Sequence, residues 1–168
     1  MLVLAVLVGA RSSHAEESVT LGVRGGFGAT DKSEGFEQFD VYGAVGLPWA
    51  WHSNSGWTVG TQFDASAGAL TRGGTTGFIG STGASVLIGK QGIGLSLEGG
   101  VGITLLSEHE FGTFDLGGPF QFNSHIGVNY ALPWNLTIGY QYMHTSNAGI
   151  YDSNPGLDMH VLKIGYRL

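Results

Sequence analysis

Ile93-Gly-Leu-Ser-Leu-Glu-Gly-Gly-Val-Gly-Ile-Thr-Leu105 is the stretch whose reading decides the fold. Ile93, Leu95, Leu97, Val101, Ile103 and Leu105 occupy alternate positions, set against Ser96, Glu98 and Thr104. Successive side chains of an extended strand point to opposite faces, so this spacing builds one apolar face and one polar, glycine-rich face. The same alternation recurs on either side. Leu21, Val23 and Phe27 alternate with Thr20, Gly22 and Arg24; Phe39, Val41, Val45, Leu47 and Trp49 alternate with Asp40, Tyr42 and Ala44. Trp57, Val59 and Phe63 are set against Thr58, Gln62 and Asp64, and Phe120, Phe122, Ile126, Val128 and Tyr130 against Gln121, Asn123, His125 and Asn129. Turn chemistry divides the chain into eight strand-length segments, at 18–29, 36–49, 56–69, 75–89, 92–106, 117–132, 134–146 and 157–168. The fourth is the weakest: only Ala84-Ser-Val-Leu-Ile88 reads as strand, and the glycines before it have no evident role.

What lies outside such a sheet follows from composition. The outward face of a water-soluble sandwich carries many Lys and Glu residues. Charged residues make up only 12% of these 168, about half the usual share, while glycine contributes 30. Nearly every long apolar side chain shares one face, and the few charges sit on the other or in connections. That is the inverted pattern of a barrel whose exterior meets lipid. The expected fold is all-β, an eight-stranded antiparallel up-and-down transmembrane β-barrel, formed by residues 16–168 as one domain. Arg24, Lys163 and Arg167 would then share the lumen with Asp40, Asp64 and Glu98. A secreted ligand-binding barrel of lipocalin type would alternate too, but would bury its apolar face inward.

Residues 1–15 read as a secretory signal: a short apolar run, Leu2 to Val8, then Ser13-His14-Ala15 as a small-x-small cleavage pattern, although no basic residue precedes the run. Beyond it no apolar run is long enough for a transmembrane helix. Connections alternate in kind. Compact turns fall at His52–Gly56, Gly92 and Pro133-Trp134, and longer loops at Asp31–Glu34, Ser107–Asp115 and Asn147–Gly156. With both termini periplasmic the longer loops are extracellular. Trp49, Trp51, Trp57 and Trp134 all belong to the short-turn side, where an interfacial aromatic girdle is expected. The chain has no cysteine, and its net charge of -6 without a basic cluster argues against a nucleic-acid partner.

Chemistry concentrates in Gln141-Tyr-Met-His-Thr-Ser-Asn-Ala-Gly-Ile-Tyr-Asp-Ser-Asn-Pro-Gly-Leu-Asp158. His144 and Ser146 share a face with Leu136, Ile138, Tyr140 and Tyr142, while Thr137, Gln141 and Met143 face inward. After the Asn/Gly/Pro-rich turn, Asp158 and His160 share the face of Leu162, Ile164, Tyr166 and Leu168. An antiparallel return brings Asp158 beside His144. All three candidate groups then point outward, toward lipid, at the loop end, where lumen filling does not account for them.

His144-Thr-Ser146-Asn147-Ala-Gly149, followed by Asn154-Pro-Gly156 and an acid at 158, resembles the C-terminal signature of the outer-membrane lipid A 3-O-deacylases, the PagL family. The motif covers about fifteen residues, and the eight-strand pattern extends the likeness less specifically over the mature chain. The resemblance implies a serine esterase with Ser146 as nucleophile, His144 as general base and Asp158 as orienting acid. It also implies oxyanion donors at Asn154 and the Gly149 N–H, in a loop that includes Asn147. The substrate it implies is lipid A of lipopolysaccharide in the Gram-negative outer membrane, with no metal or cofactor. The family usually carries Glu where this chain has Asp158. One methylene less moves the carboxylate by on the order of 1 Å, and a misplacement of that size costs about 100-fold if the backbone does not compensate.

Other polar residues have plainer readings. His160 reads as an interfacial side chain. His109 with Glu108 and Glu110 reads as a solvated acidic loop rather than a divalent-ion site, since adjacency in a loop defines no ligand geometry. Asn135-Leu-Thr137 matches a glycosylation triplet but falls in a strand beside a turn. The alternative to an esterase is a non-catalytic small outer-membrane barrel, structural or adhesive. Nothing in the sequence indicates an oligomeric state.

Overall fold

The computed structural model describes residues 18–168, so the signal-peptide segment lies outside the described residues. Eight long strands close into one barrel: β1 (Val19–Gly28), β2 (Glu37–His52), β3 (Trp57–Arg72), β4 (Thr75–Lys90), β5 (Leu95–Leu106), β8 (Phe120–Ala131), β9 (Leu136–Ser146) and β10 (Leu157–Arg167). Each pairs antiparallel with its sequence neighbours, and β1 closes the ring against β10. A small hairpin of β6 (Glu110–Phe111) and β7 (Phe114–Asp115) stands in the connection between β5 and β8.

The faces are those expected from the alternation. Leu21, Val41, Phe63, Val101, Ile126 and Leu162 are exposed on the outside, while Arg24, Asp40, Glu98, Asn129, Gln141 and Lys163 are buried in the lumen. Arg24 Nε lies 2.6 Å from Asp40 Oδ1, and Lys163 Nζ lies 2.6 Å from Glu98 Oε2. Glu98 also accepts from Asn129 Nδ2 at 2.6 Å and Gln141 Nε2 at 2.9 Å, so its buried charge is both paired and hydrogen-bonded, as burial requires. Asp64 accepts from Ser85 Oγ at 3.2 Å. Arg167 is the exception in this set: it is exposed at the mouth of a cavity of about 610 Å³ that occupies the short-turn half of the lumen.

Two expectations are corrected. The fourth segment is a full strand, Thr75–Lys90, not the five residues that read as one. Its glycines mark close approaches: a Cβ on Gly83 would lie 2.5 Å from the Val101 carbonyl oxygen, and one on Gly77 would lie 2.6 Å from Glu108 Cβ. The inward face is also not polar throughout. Toward the loop end Leu70, Ile79, Leu106, Met143, Leu157, Met159 and Val161 form a buried apolar core with Phe36, Phe111 and Leu116 from the loops. The loops roof this half of the lumen and dry it, and each such side chain contributes roughly 1.5–3 kcal/mol by leaving water.

Connections sort by end. Short turns join β2 to β3, β4 to β5 and β8 to β9; the opposite end carries the longer loops and one tight turn, Gly73-Gly74, between β3 and β4. Both of those glycines have positive φ, 58° and 86°, which the two-residue hairpin requires. In β2 the register to β3 slips between Leu47 and Trp51, around Pro48, which has no N–H to offer the ladder. Trp49, Trp57 and Trp134 are exposed at the short-turn end, as an aromatic girdle there demands. The loop roof is tied by Arg72, whose guanidinium lies 4.9 Å from the ring centre of Phe36 and 4.5 Å from that of Phe114.

Candidate active site

Strand register brings the site together. β9 and β10 pair so that Asp158 stands directly opposite His144 and His160 opposite Tyr142. His144 Nδ1 and Asp158 Oδ1 are 2.8 Å apart, with the imidazole about half exposed (47%) and the carboxylate largely covered (21%). Directly opposed residues have adjacent Cβ atoms, which is why a short aspartate side chain reaches the ring. Ser146 is two residues along β9 on the same face, opposite Phe122 of β8. Among the described residues no hydrogen bond joins its hydroxyl to His144. A separation of roughly 6–7 Å between alternate Cα atoms leaves the Oγ–Nε2 contact to the side-chain rotamers.

The loop after β9 is built around Asn147. This residue is fully buried, its Nδ2 donating to the Leu116 carbonyl at 3.0 Å and the Ser153 carbonyl at 2.6 Å. Its Oδ1 accepts the Gly149 N–H at 2.9 Å, and its own N–H donates to Asn154 Oδ1 at 3.1 Å. The Gly149 donor is thereby engaged within the loop. Asn154, exposed at the rim, keeps the Nδ2 end of its amide directed away from that bond. The turn needs left-handed backbone at Ala148 (φ 53°) and Gly149 (φ 80°). Gly156 (φ 72°) closes the loop against the imidazole, where a Cβ would lie 3.0 Å from His144 Cε1.

Of the residues singled out in the sequence, His144 and Asp158 are joined directly, Ser146 shares their face, and Asn147, Gly149 and Asn154 form one hydrogen-bonded loop beside them. Leu116 and Ser153, which hold that loop through Asn147, carry no mark in the sequence, because both act through backbone carbonyls. Ser153 Oγ also donates to the Asp115 carbonyl at 2.9 Å, tying the loop after β9 to the one after β5. His160 belongs to an outward aromatic group: its Nδ1 lies 2.7 Å from Tyr140 Oη, and its ring centre 5.2 Å from that of Phe27. His109 Nδ1 lies 3.2 Å from Asp115 Oδ1, and the exposed Glu110 is close by.

A closed barrel with an apolar exterior, carrying a carboxylate-bound histidine and a serine on its outer rim, defines a membrane-type β-barrel with a polar cluster on its outside. The family model described as lipid A 3-O-deacylase (PagL) matches residues 37–167, and the chain belongs to that family. Over 71 residues it is 42% identical to a lipid A deacylase PagL of Bordetella bronchiseptica, a match spanning 42% of this chain and 40% of that protein. The lipid A deacylase PagL of Pseudomonas aeruginosa is 25% identical over 177 residues, spanning 96% of this chain and 95% of the relative. A crystal structure of the outer membrane enzyme PagL superposes with a TM-score of 0.74 at 21% identity, covering 88% of this chain and 99% of that one. The outward apolar band is what strands that span a membrane present to lipid. The activity that goes with membership is hydrolysis of the ester that carries the 3-O-linked acyl chain of lipid A.

Proposed function

We propose that this chain hydrolyses the 3-O-linked hydroxyacyl chain of lipid A by a serine-esterase mechanism, with Ser146 as nucleophile, His144 as general base and Asp158 as orienting acid. The observation that carries the reading is the 2.8 Å contact between His144 Nδ1 and Asp158 Oδ1 on the lipid-facing rim, on the face that bears Ser146. With Nδ1–H donating to the carboxylate, the lone pair of the neutral imidazole is on Nε2. Nε2 takes the Ser146 proton as Oγ attacks the ester carbonyl. The tetrahedral oxyanion forms beside the Asn154 amide, whose Nδ2 is its donor. One such donor is typically worth about 3–4 kcal/mol.

Collapse of the intermediate breaks the bond to the sugar 3-oxygen, which leaves with the proton from His144 Nε2. Water, deprotonated by the same nitrogen, then releases the hydroxyacyl group from Ser146 as a free acid. Asp158 stays ionised throughout and stabilises the imidazolium. The long-loop end faces the cell exterior in this reading, so the site lies at the outer leaflet. A substrate anchored there presents its ester without leaving the bilayer, its acyl chains lying along Tyr142, Tyr140 and Leu162. That accounts for a polar cluster on the outside of a barrel.

Mass spectrometry of lipid A from cells expressing the parent or Ser146→Ala tests the reading. Loss of one ester-linked hydroxyacyl group with the parent alone is the expected result. Unchanged lipid A in both, with each protein folded in the outer membrane, would assign the barrel a non-catalytic role.

A further inference from the structure

Asp158 stands where the ladder between β10 and β1 runs out. The register pairs Gly28 with Met159, so Ala29 comes opposite Asp158, and the Ala29 N–H donates to the Asp158 carbonyl at 2.8 Å. In a hydrogen-bonded antiparallel pair the two residues exchange both bonds, and the Asp158 N–H would go to the Ala29 carbonyl. Beyond Ala29 the chain instead turns away into a short 3-10 turn, Asp31–Ser33, and the Asp158 N–H donates to Ser33 Oγ at 2.9 Å. A side chain 125 positions away supplies the last rung beneath the acid.

Ser33 is built to be a fixed acceptor. It is wholly buried, its Oγ also accepts from Thr30 Oγ1 at 3.1 Å, its N–H donates to the Thr30 carbonyl at 2.9 Å, and its carbonyl accepts the Phe36 N–H at 3.2 Å. Gly28 permits this closeness: any Cβ there would lie 1.8 Å from the Ser33 carbonyl oxygen.

We propose that Ser33 is a positioning residue for Asp158, holding the backbone at the start of β10 so that the short carboxylate reaches His144 Nδ1. The inference rests on Asp158 being the orienting acid. Aspartate has two side-chain torsions where glutamate has three, so a displacement of its backbone passes almost undiminished to Oδ1. A glutamate at this position has a further torsion with which to recover the contact. The 2.8 Å separation is already that of a short charge-assisted bond, with little slack to lose. Ser33 is thus the backbone compensation that an aspartate requires here, delivered by the loop between β1 and β2.

The test compares the parent, Ser33→Ala, Asp158→Glu and the double variant as full-length barrels in detergent, each shown to be folded by heat-modifiable gel migration. Kinetics on purified lipopolysaccharide are run beside NMR of the 15N-labelled histidines, with the His144 Nδ1–H signal assigned by its loss in His144→Asn. Ser33→Ala lowers kcat about tenfold with KM within about twofold, inside the roughly 100-fold that an ångström of misplacement costs. It also weakens or moves the His144 Nδ1–H signal. In the Asp158→Glu background the same substitution changes kcat by less than about twofold. Equal losses in the two backgrounds, or an unchanged kcat and unchanged His144 signal in Ser33→Ala, overturn the proposal. Should the parent hydrolyse nothing, or Ser146→Ala retain activity, the esterase reading falls. The His144 signal then still decides whether Ser33 positions Asp158.

Discussion

His144 and Asp158 face each other as register partners across β9 and β10, and their side chains meet at 2.8 Å on the outside of the barrel. Strand pairing sets the two residues opposite each other, and the Ser33 hydroxyl completes the ladder at Asp158. Ser146 and Asn154, by contrast, belong to the end of β9 and to the loop that Asn147 organises.

Replacing Asp158 by Asn tests the pair directly. The amide keeps the shape of the side chain but can present an N–H to the ring and favour the wrong tautomer. The barrel stays folded and, if Asp158 orients His144 as proposed, kcat on lipopolysaccharide falls by on the order of 10⁴, as such a change does in serine-hydrolase triads. A loss below tenfold would remove Asp158 from the mechanism.

Asn147 anchors the loop from a fully buried position. Asn147→Ala strands the carbonyls of Leu116 and Ser153 and the N–H of Gly149, each at a cost of about 1–3 kcal/mol where water cannot replace the bond. Asn147→Asp keeps the acceptor for Gly149 and loses both donors. Amide exchange over 147–156 rises in both variants and activity is lost, while the strands keep their protection. Unchanged exchange would show that the loop is held by other contacts.

The lumen pair Lys163–Glu98 is buried and remote from the rim. Lys163→Met leaves a buried carboxylate without its cation, a change that costs about 3–5 kcal/mol. Lys163→Met with Glu98→Gln recovers much of that cost, because no unpaired charge remains. Urea midpoints in detergent read the difference, and activity per folded molecule is unaltered in both.

Asp115 gives the loop after β5 a pH dependence. The Gly117 N–H, and secondarily His109, hold its carboxyl below the usual carboxylate range. A group whose folded value is depressed stabilises above its unfolded value, and that contribution is lost as pH falls through the folded value. Protection of the Gly117 amide therefore survives mild acidification and disappears only below the ordinary carboxylate range. Asp115→Asn removes that acid-induced step, and an identical exchange profile in parent and variant would contradict the assignment.

Alternation was enough to phase seven of the eight strands, because period-two patterning places side chains on faces whatever the sheet does next. The fourth resisted because Gly77, Gly80 and Gly83 carry no side chain to alternate, and what crowds Gly77 and Gly83 is loop residue Glu108 and the Val101 carbonyl, which come near only once the strands are paired. The apolar half of the lumen was equally hidden. Leu70, Ile79 and Met159 face inward in phase, but nothing local says that loops will cover them.

By itself the sequence determined the strand faces, the inverted exterior and the placement of His144, Ser146 and Asp158 on one side at one end. These follow from residue spacing along single strands and across one short turn. Only the tertiary structure decided the burial of Asn147 against the Leu116 carbonyl and the seat of Ser33 under the acid. Each of these depends on which distant segments the closing of the barrel brings within hydrogen-bonding range. No periodicity records that, because a hydrogen bond between residues 33 and 158 is short in space and unconstrained in sequence.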